Sequence, residues 1–173
     1  MLRSRLARKY SVGLKIEAYL ADYIQHRYPW DTCHQRVLIP PTSDLYHCLY
    51  ENLRVPRSDT RVCEPNIWIA LPSPGYVANG YWKDTQRFCA LSERGERLVA
   101  QCIRRQFNFE FHQVLIENDE NGRPQLMKDV IHAFIKKYSL SISEEALIKN
   151  YQRFRKKFYP KKPQSCSCNA KKT

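Results

Sequence analysis

Short apolar runs and stretches of helical spacing take turns in the first part of the chain. The runs predict three short strands, at residues 14–17, 36–39 and 66–71. Apolar side chains at helical spacing predict a helix over residues 19–28, which stops before Pro29. A second helix is predicted to begin at a cap formed by Thr42 or Ser43 and to end at Pro56.

Helical spacing dominates the later part of the chain. Ser92 is the predicted cap of a long helix, with Glu93 and Glu96 in the first turn, where the helix dipole favours acids. Residues 107–111 alternate like a strand, but helix is favoured because apolar positions continue beyond them with no breaking residue. Residues 118–124 are predicted to form a loop.

Residues 125–159 predict a pair of helices joined by a short connector. The connector covers residues 139–142, and Ser143 is expected to cap the second helix. The first helix is expected to pack deeply, through Leu126, Met127, Val130, Ile131, Phe134, Ile135 and Tyr138. In the second helix a narrow apolar stripe opposes a cationic face, and the stripe consists of Leu147, Tyr151, Phe154 and Phe158.

These elements predict an α+β fold, in which helices cover a small three-stranded sheet and a helix-turn-helix-like pair leads into a basic tail. The organisation along the chain is a basic N-terminal arm at 1–10, an α+β core at 11–118, the helix pair at 123–159 and a disordered basic tail at 160–173.

Charge changes this picture because it is concentrated at the two ends. The net charge is +12. Residues 1–10 contain four Lys and Arg, and residues 149–173 contain nine, whereas all 17 acids lie between these two segments. Clustered basic residues strengthen binding to a polyanion, since each Lys or Arg near a phosphate releases condensed counterions. The pattern therefore favours a nucleic-acid partner, the alternative being solvated ends that only keep the protein dissolved.

The second helix of the pair holds the strongest candidates for nucleic-acid contact. A short turn followed by a helix with a basic outer face fits a helix-turn-helix, whose second helix enters the major groove of duplex DNA. The alternative is a terminal helix that packs on the core and exposes a solvated cationic face. The candidate contacts are Lys149, Gln152, Arg153, Arg155, Lys156 and Lys157 on the helix, and Arg3, Arg5, Arg8 and Lys9 on the N-terminal arm.

A second binding hypothesis concerns the aromatic residues of the segment between residues 73 and 90. Tyr76, Tyr81 and Trp82 are candidate stacking platforms for unpaired bases, which would make the protein a binder of single strands or RNA. The alternative is a long loop that these aromatic side chains pin to the core.

No pattern in the sequence predicts an enzyme or a cofactor. Gly-x-Ser-x-Gly, His-Glu-x-x-His and phosphate-loop patterns are absent. The adjacent pairs Cys33/His34 and His47/Cys48 have poor spacing for a shared zinc ion, so no metal site is predicted. A metal-dependent nuclease would need clustered carboxylates, whereas the acids read as ordinary surface: Asp22, Asp44, Asp59, Glu64 and Asp84, with Glu117, Asp119 and Glu120 in a loop.

No apolar run follows the charged N-terminus, so no signal peptide is predicted. With an odd number of Cys, seven, the chain is expected to carry free thiols in the cytoplasm. No stretch approaches the roughly 20 apolar residues of a membrane span, so no membrane partner is expected. The oligomeric state stays open because no heptad pattern is present.

Part of the chain resembles small basic proteins that prophages and other mobile elements carry. The resemblance rests on residues 129–134, Lys137-Tyr138 and the run 151–156. It extends toward the N-terminus through the Leu20…Tyr23-Ile24 helix and the strand end at Leu38-Ile39-Pro40. It implies mobile-element biology and no particular activity.

The charge pattern and the helix pair together lead to the hypothesis of a DNA-binding protein, a transcriptional regulator or mobile-element accessory factor. The alternatives are a single-strand or RNA binder, or a protein-interaction component.

Overall fold

The structure, a computed structural model, describes residues 10–56, 64–71 and 83–158. Three groups of predicted binding features lie outside these residues: the arm with Arg3, Arg5, Arg8 and Lys9, the aromatic residues Tyr76, Tyr81 and Trp82, and the tail at 160–173.

The described residues form an α+β fold with two small sheets. A four-stranded sheet has the order β1-β5-β3-β2, and β4 and β6 pair in a second, antiparallel sheet. Within the larger sheet β3 and β5 run parallel, and the other two pairs are antiparallel. The strands are β1 Ser11–Leu14, β2 Trp30–Asp31, β3 Arg36–Val37, β4 Leu53–Arg54, β5 Ile67–Ala70 and β6 Ala90–Leu91.

The α+β class is confirmed, and the strands differ from the predicted three in number and in bounds. The added strands β2, β4 and β6 have two residues each, too few to show any alternation. The first strand ends at Leu14, although Ile16 is also buried. Beyond Leu14 the side chain of Asn66 replaces a ladder partner: it accepts from Ile16 N at 3.1 Å and donates to Ile16 O at 2.8 Å.

Five helices follow the predicted positions closely. They are α1 Ala18–Arg27, α2 Asp44–Asn52, α3 Glu93–Glu120, α4 Met127–Tyr138 and α5 Glu144–Phe158. Two predicted caps are confirmed, because Ser43 Oγ accepts from Tyr46 N at 3.2 Å and Ser92 Oγ accepts from Gly95 N at 2.9 Å. Residues 107–111 are helical, as predicted.

The predicted loop at 118–124 is wrong in its first part, because α3 continues to Glu120. Polar side chains stabilise this last turn: Arg123 Nε donates to Asp119 Oδ1 at 2.9 Å, and Asn118 Nδ2 donates to Gln125 O at 3.0 Å. The chain then turns at Gly122, whose φ of 78° lies in the left-handed region that glycine adopts easily.

Helix α3 forms the centre of the molecule. Its buried side chains recur every fourth residue, at Val99, Ile103, Phe107, Phe111 and Leu115. Phe107 makes edge-to-face contacts with Tyr19, Tyr23 and Phe134, so α1 and α4 meet on α3. Buried residues of the sheets and of all five helices belong to a single hydrophobic cluster.

Candidate nucleic-acid interface

The connector between α4 and α5 has a defined geometry. Ser139 takes the left-handed conformation at φ 46°, Ser139 N donates to Lys136 O at 3.3 Å, and Leu140 N donates to Ile135 O at 3.1 Å. These two bonds make a Schellman motif, with the buried Leu140 as its apolar contact. The connector predicted at residues 139–142 is therefore a Schellman turn in which serine occupies the position where glycine is usual.

Helix α1 holds the connector in place through Asp22, in a contact called here the Asp22 clamp. Asp22 Oδ2 accepts a hydrogen bond from Ser141 N at 2.8 Å and a second one from the Ser141 hydroxyl. Ser143 caps α5 as predicted, since its Oγ accepts from Ala146 N at 3.3 Å. The start of α5 is thereby fixed relative to α1 and α4.

The inner face of α5 packs on α3 through polar and aromatic contacts. His112 Nε2 donates to Asn150 Oδ1 at 2.6 Å, and Asn150 Nδ2 donates to Asn108 Oδ1 at 3.1 Å. The His112 ring stacks on Phe154 with a centroid separation of 4.0 Å. Tyr151, which follows Asn150 on α5, donates from its Oη to Asp119 Oδ2 at 3.1 Å.

The environment of His112 favours its neutral form. Burial lowers the pKa of the imidazole, and the hydrogen bond with Asn150 opposes this shift only in part. A protonated ring would carry a charge into a contact made of aromatic rings and amides.

The outer face of α5 is cationic and exposed. All six predicted contacts on the helix are solvent-exposed: Lys149, Gln152, Arg153, Arg155, Lys156 and Lys157. None of the five cations forms an ion pair with any described residue. The guanidinium of Arg155 lies 6.0 Å from the Tyr151 ring centroid, so the core side of α5 orients it in part.

Part of this charge has a structural explanation. Glu144 and Glu145 lie in the first turn of α5, and Arg155, Lys156 and Lys157 lie in the last turn, as the helix dipole favours. That effect is confined to the terminal turns and does not account for Lys149 and Arg153.

Three apolar positions predicted to pack are exposed instead. Phe158 is 59% exposed at the last residue of α5, beyond the turns that contact α3. Leu126 is 73% exposed and Met127 is 37% exposed because they occupy the N-cap and first residue of α4, ahead of its packed turns.

Sequence inspection also missed Glu110, the centre of a polar cluster between α1, α3 and α4. Its carboxylate accepts hydrogen bonds from Tyr23 at 2.7 Å and from Tyr138, and it pairs with Arg27 at 3.3 Å and Lys137 at 3.4 Å. Burial alone would raise the pKa of Glu110, but the hydrogen bonds from Tyr138 and Tyr23 and the two cations lower it below its ordinary value. Because these partners come from α1 and α4, no local pattern could reveal the cluster.

The candidate metal ligands are dispersed. No group of three or more His, Cys, Asp or Glu side chains suited to a metal ion occurs within residues 10–56, 64–71 and 83–158. His34 pairs with Asp31 at 2.8 Å, and Cys48 packs against the core between α2 and α3. Cys33, Cys48, Cys89 and Cys102 are free thiols.

No family model, curated protein or solved structure matches this chain. The resemblance to mobile-element proteins therefore stays a prediction. Among the described helices, none has the length and apolar character needed to cross a bilayer.

Proposed function

We propose that this protein binds nucleic acid, with duplex DNA as the preferred partner, through the exposed cationic face of α5. The observation that carries the proposal is the set of five Lys and Arg on this face, all exposed and without an ion pair to any described residue. Cations without a partner in the fold attract a polyanion strongly, and binding it releases the counterions condensed on the phosphates.

The rigid attachment of α5 supports a recognition role over a solvated tail. The capped turn, the Asp22 clamp and the contacts with His112 and Asp119 fix the orientation of the helix. A helix held in this way presents Lys149, Gln152 and Arg153 with little further loss of conformational entropy on binding. The basic segments at 1–10 and 160–173 would add phosphate contacts by tethering.

In this proposal the protein is a cytoplasmic, nucleoid-associated factor, such as a transcriptional regulator or a mobile-element accessory protein. Random duplexes should bind with a Kd of about 10⁻⁶ to 10⁻⁴ M at physiological salt.

The test is the affinity for random duplex and for single strands, measured by fluorescence anisotropy between about 50 and 200 mM salt. Arg153→Ala with Lys156→Ala should weaken duplex binding and reduce the slope of log K against log salt by about 2. The matched control is Arg94→Ala with Arg97→Ala, two exposed cations at the start of α3. The control removes the same charge about 22 to 27 Å along the helix axis from His112, at a rise of about 1.5 Å per residue.

An unchanged slope in the α5 variant would remove the assignment of this face. Tighter binding of single strands, with tryptophan quenching that Trp82→Ala abolishes, would favour the aromatic segment instead. Absence of binding to either form at low salt would refute a nucleic-acid partner and leave a protein-interaction role.

A further inference from the structure

A cavity of about 450 Å³ opens between the end of α1, the start of α2 and the middle of α3, and no residue of α5 lines it. Its size falls in the usual range for small-molecule sites, about 300–1,000 Å³. Helix α3 supplies one wall at helical spacing, with Cys102, Arg105, Gln106 and Phe109, and Tyr28 and Asp44 face it.

Phe109 provides a flat apolar surface at this cavity. It is 72% exposed, although its neighbours Phe107 and Phe111 on the same helix are each 1% exposed. An aromatic ring left in water at the rim of a cavity is a stacking platform for a planar ligand.

Gln106 provides an unused acceptor. Its Nε2 donates to Tyr28 Oη at 2.8 Å, and its Oε1 is buried without a hydrogen-bond partner among the described residues. This carbonyl is closed to solvent, so a ligand N–H group would reach it only after the Gln106 side chain reorients.

Asp44 and Arg105 bring opposite charges to the cavity from two different helices. Burial raises the pKa of the Cys102 thiol and a hydrogen bond with Cys48 lowers it; the smaller effects of Asp44 and Arg105 raise and lower it respectively. Neither side chain forms an ion pair with a described residue. The carboxylate accepts N–H groups, and the guanidinium donates to a carbonyl or ring nitrogen.

We propose that this cavity binds a nucleobase-like heterocycle, with guanine the best fit. Guanine offers N–H donors to Asp44, and its O6 and N7 accept from Arg105 in the bidentate manner common for this pair. Its ring stacks on Phe109. The site is separate from α5, so it does not depend on the DNA-binding proposal.

The test uses nucleosides because they carry no phosphate and therefore cannot bind α5 through its charge. Guanosine, adenosine, cytidine and uridine are titrated by calorimetry, and alkylation of Cys102 at alkaline pH is followed by peptide mass spectrometry. Cys33 is exposed and serves as the internal reference. The variants are Phe109→Ala and Asp44→Asn, with Leu126→Ala as the control because Leu126 is 73% exposed and lies outside the cavity.

The expected result is saturable guanosine binding, about tenfold or more weaker binding of the other nucleosides, and protection of Cys102 but not Cys33. Each variant should weaken guanosine binding at least about fivefold, and Leu126→Ala should leave it unchanged. No saturable binding, equal binding of all four nucleosides, or unchanged binding in both variants would overturn the proposal.

A guanine base has two sources, a free nucleotide or a single strand, and a second arm separates them. Short thymidine strands with and without one dG are compared in the Arg153→Ala, Lys156→Ala protein. Protection of Cys102 by the dG strand at lower concentration than guanosine identifies a strand as the source. If guanosine protects Cys102 at the same concentration as the dG strand or at a lower one, the source is a free nucleotide.

Discussion

The carboxylate of Glu110 and the cations of α5 differ in burial and in whether the fold supplies partners for their charge. Glu110 is half-buried, and two tyrosine hydroxyls and two cations from α1 and α4 satisfy it. The five cations on the outer face of α5 are exposed and have no ion-pair partner among the described residues. The compensated carboxylate is expected to contribute to stability, and the uncompensated cations are the charges that the proposed nucleic-acid partner would contact.

The largest effect expected from this comparison is on stability. Glu110→Gln should lower the free energy of unfolding by about 2–3 kcal/mol, because Arg27 and Lys137 lose their partner and the two tyrosines lose a charged acceptor. Urea denaturation at neutral pH measures the loss. The folded variant should bind duplex DNA as the wild-type protein does, since the outer face of α5 is untouched.

The matched control is Glu117→Gln, an exposed carboxylate on the same helix. It should change the free energy of unfolding by less than about 0.5 kcal/mol. Equal stability of the Glu110 and Glu117 variants would show that the compensated cluster contributes nothing to the fold.

A smaller effect separates the two faces of α5. Asn150→Ala removes hydrogen bonds to His112 and Asn108 and should cost about 1–2 kcal/mol of stability. Gln152→Ala, two residues along on the exposed face, should leave the urea midpoint unchanged and weaken only duplex binding. A reversed result, with stability lost at Gln152 and binding lost at Asn150, would exchange the two faces and refute the proposed orientation.

The sequence predicted the helices well because their spacing and caps are local properties. Ser43, Ser92 and Ser143 each cap a helix through a bond to a residue three positions on. The long α3 followed from its unbroken spacing, even across residues 107–111. The exposure of the basic residues on α5 also followed from helical geometry, since a narrow apolar stripe leaves the opposite face to solvent.

What the sequence did not reveal depends on contacts between distant residues. Trp30–Asp31 is a strand only because Arg36–Val37 pairs with it. The Asp22 clamp on Ser141 joins residues 119 positions apart, and the Glu110 cluster draws on two other helices. Asn150 is one residue from the exposed Lys149, yet its side chain turns inward to His112, a distinction that a helical wheel leaves open.

The smallest expected effect concerns pH and the contact of His112 with α5. Because burial lowers the pKa of His112 in the folded protein, the unfolded chain binds a proton first as the pH falls below about 6.5. Stability should therefore decrease between pH 7.5 and 5.5, and the urea midpoint should follow it. His112→Gln should remove this part of the decrease, whereas His132→Gln, at an exposed position on α4, should not. If the urea midpoints of His112→Gln and the wild-type protein fall in parallel with pH, the contact of His112 with α5 does not contribute to the pH dependence.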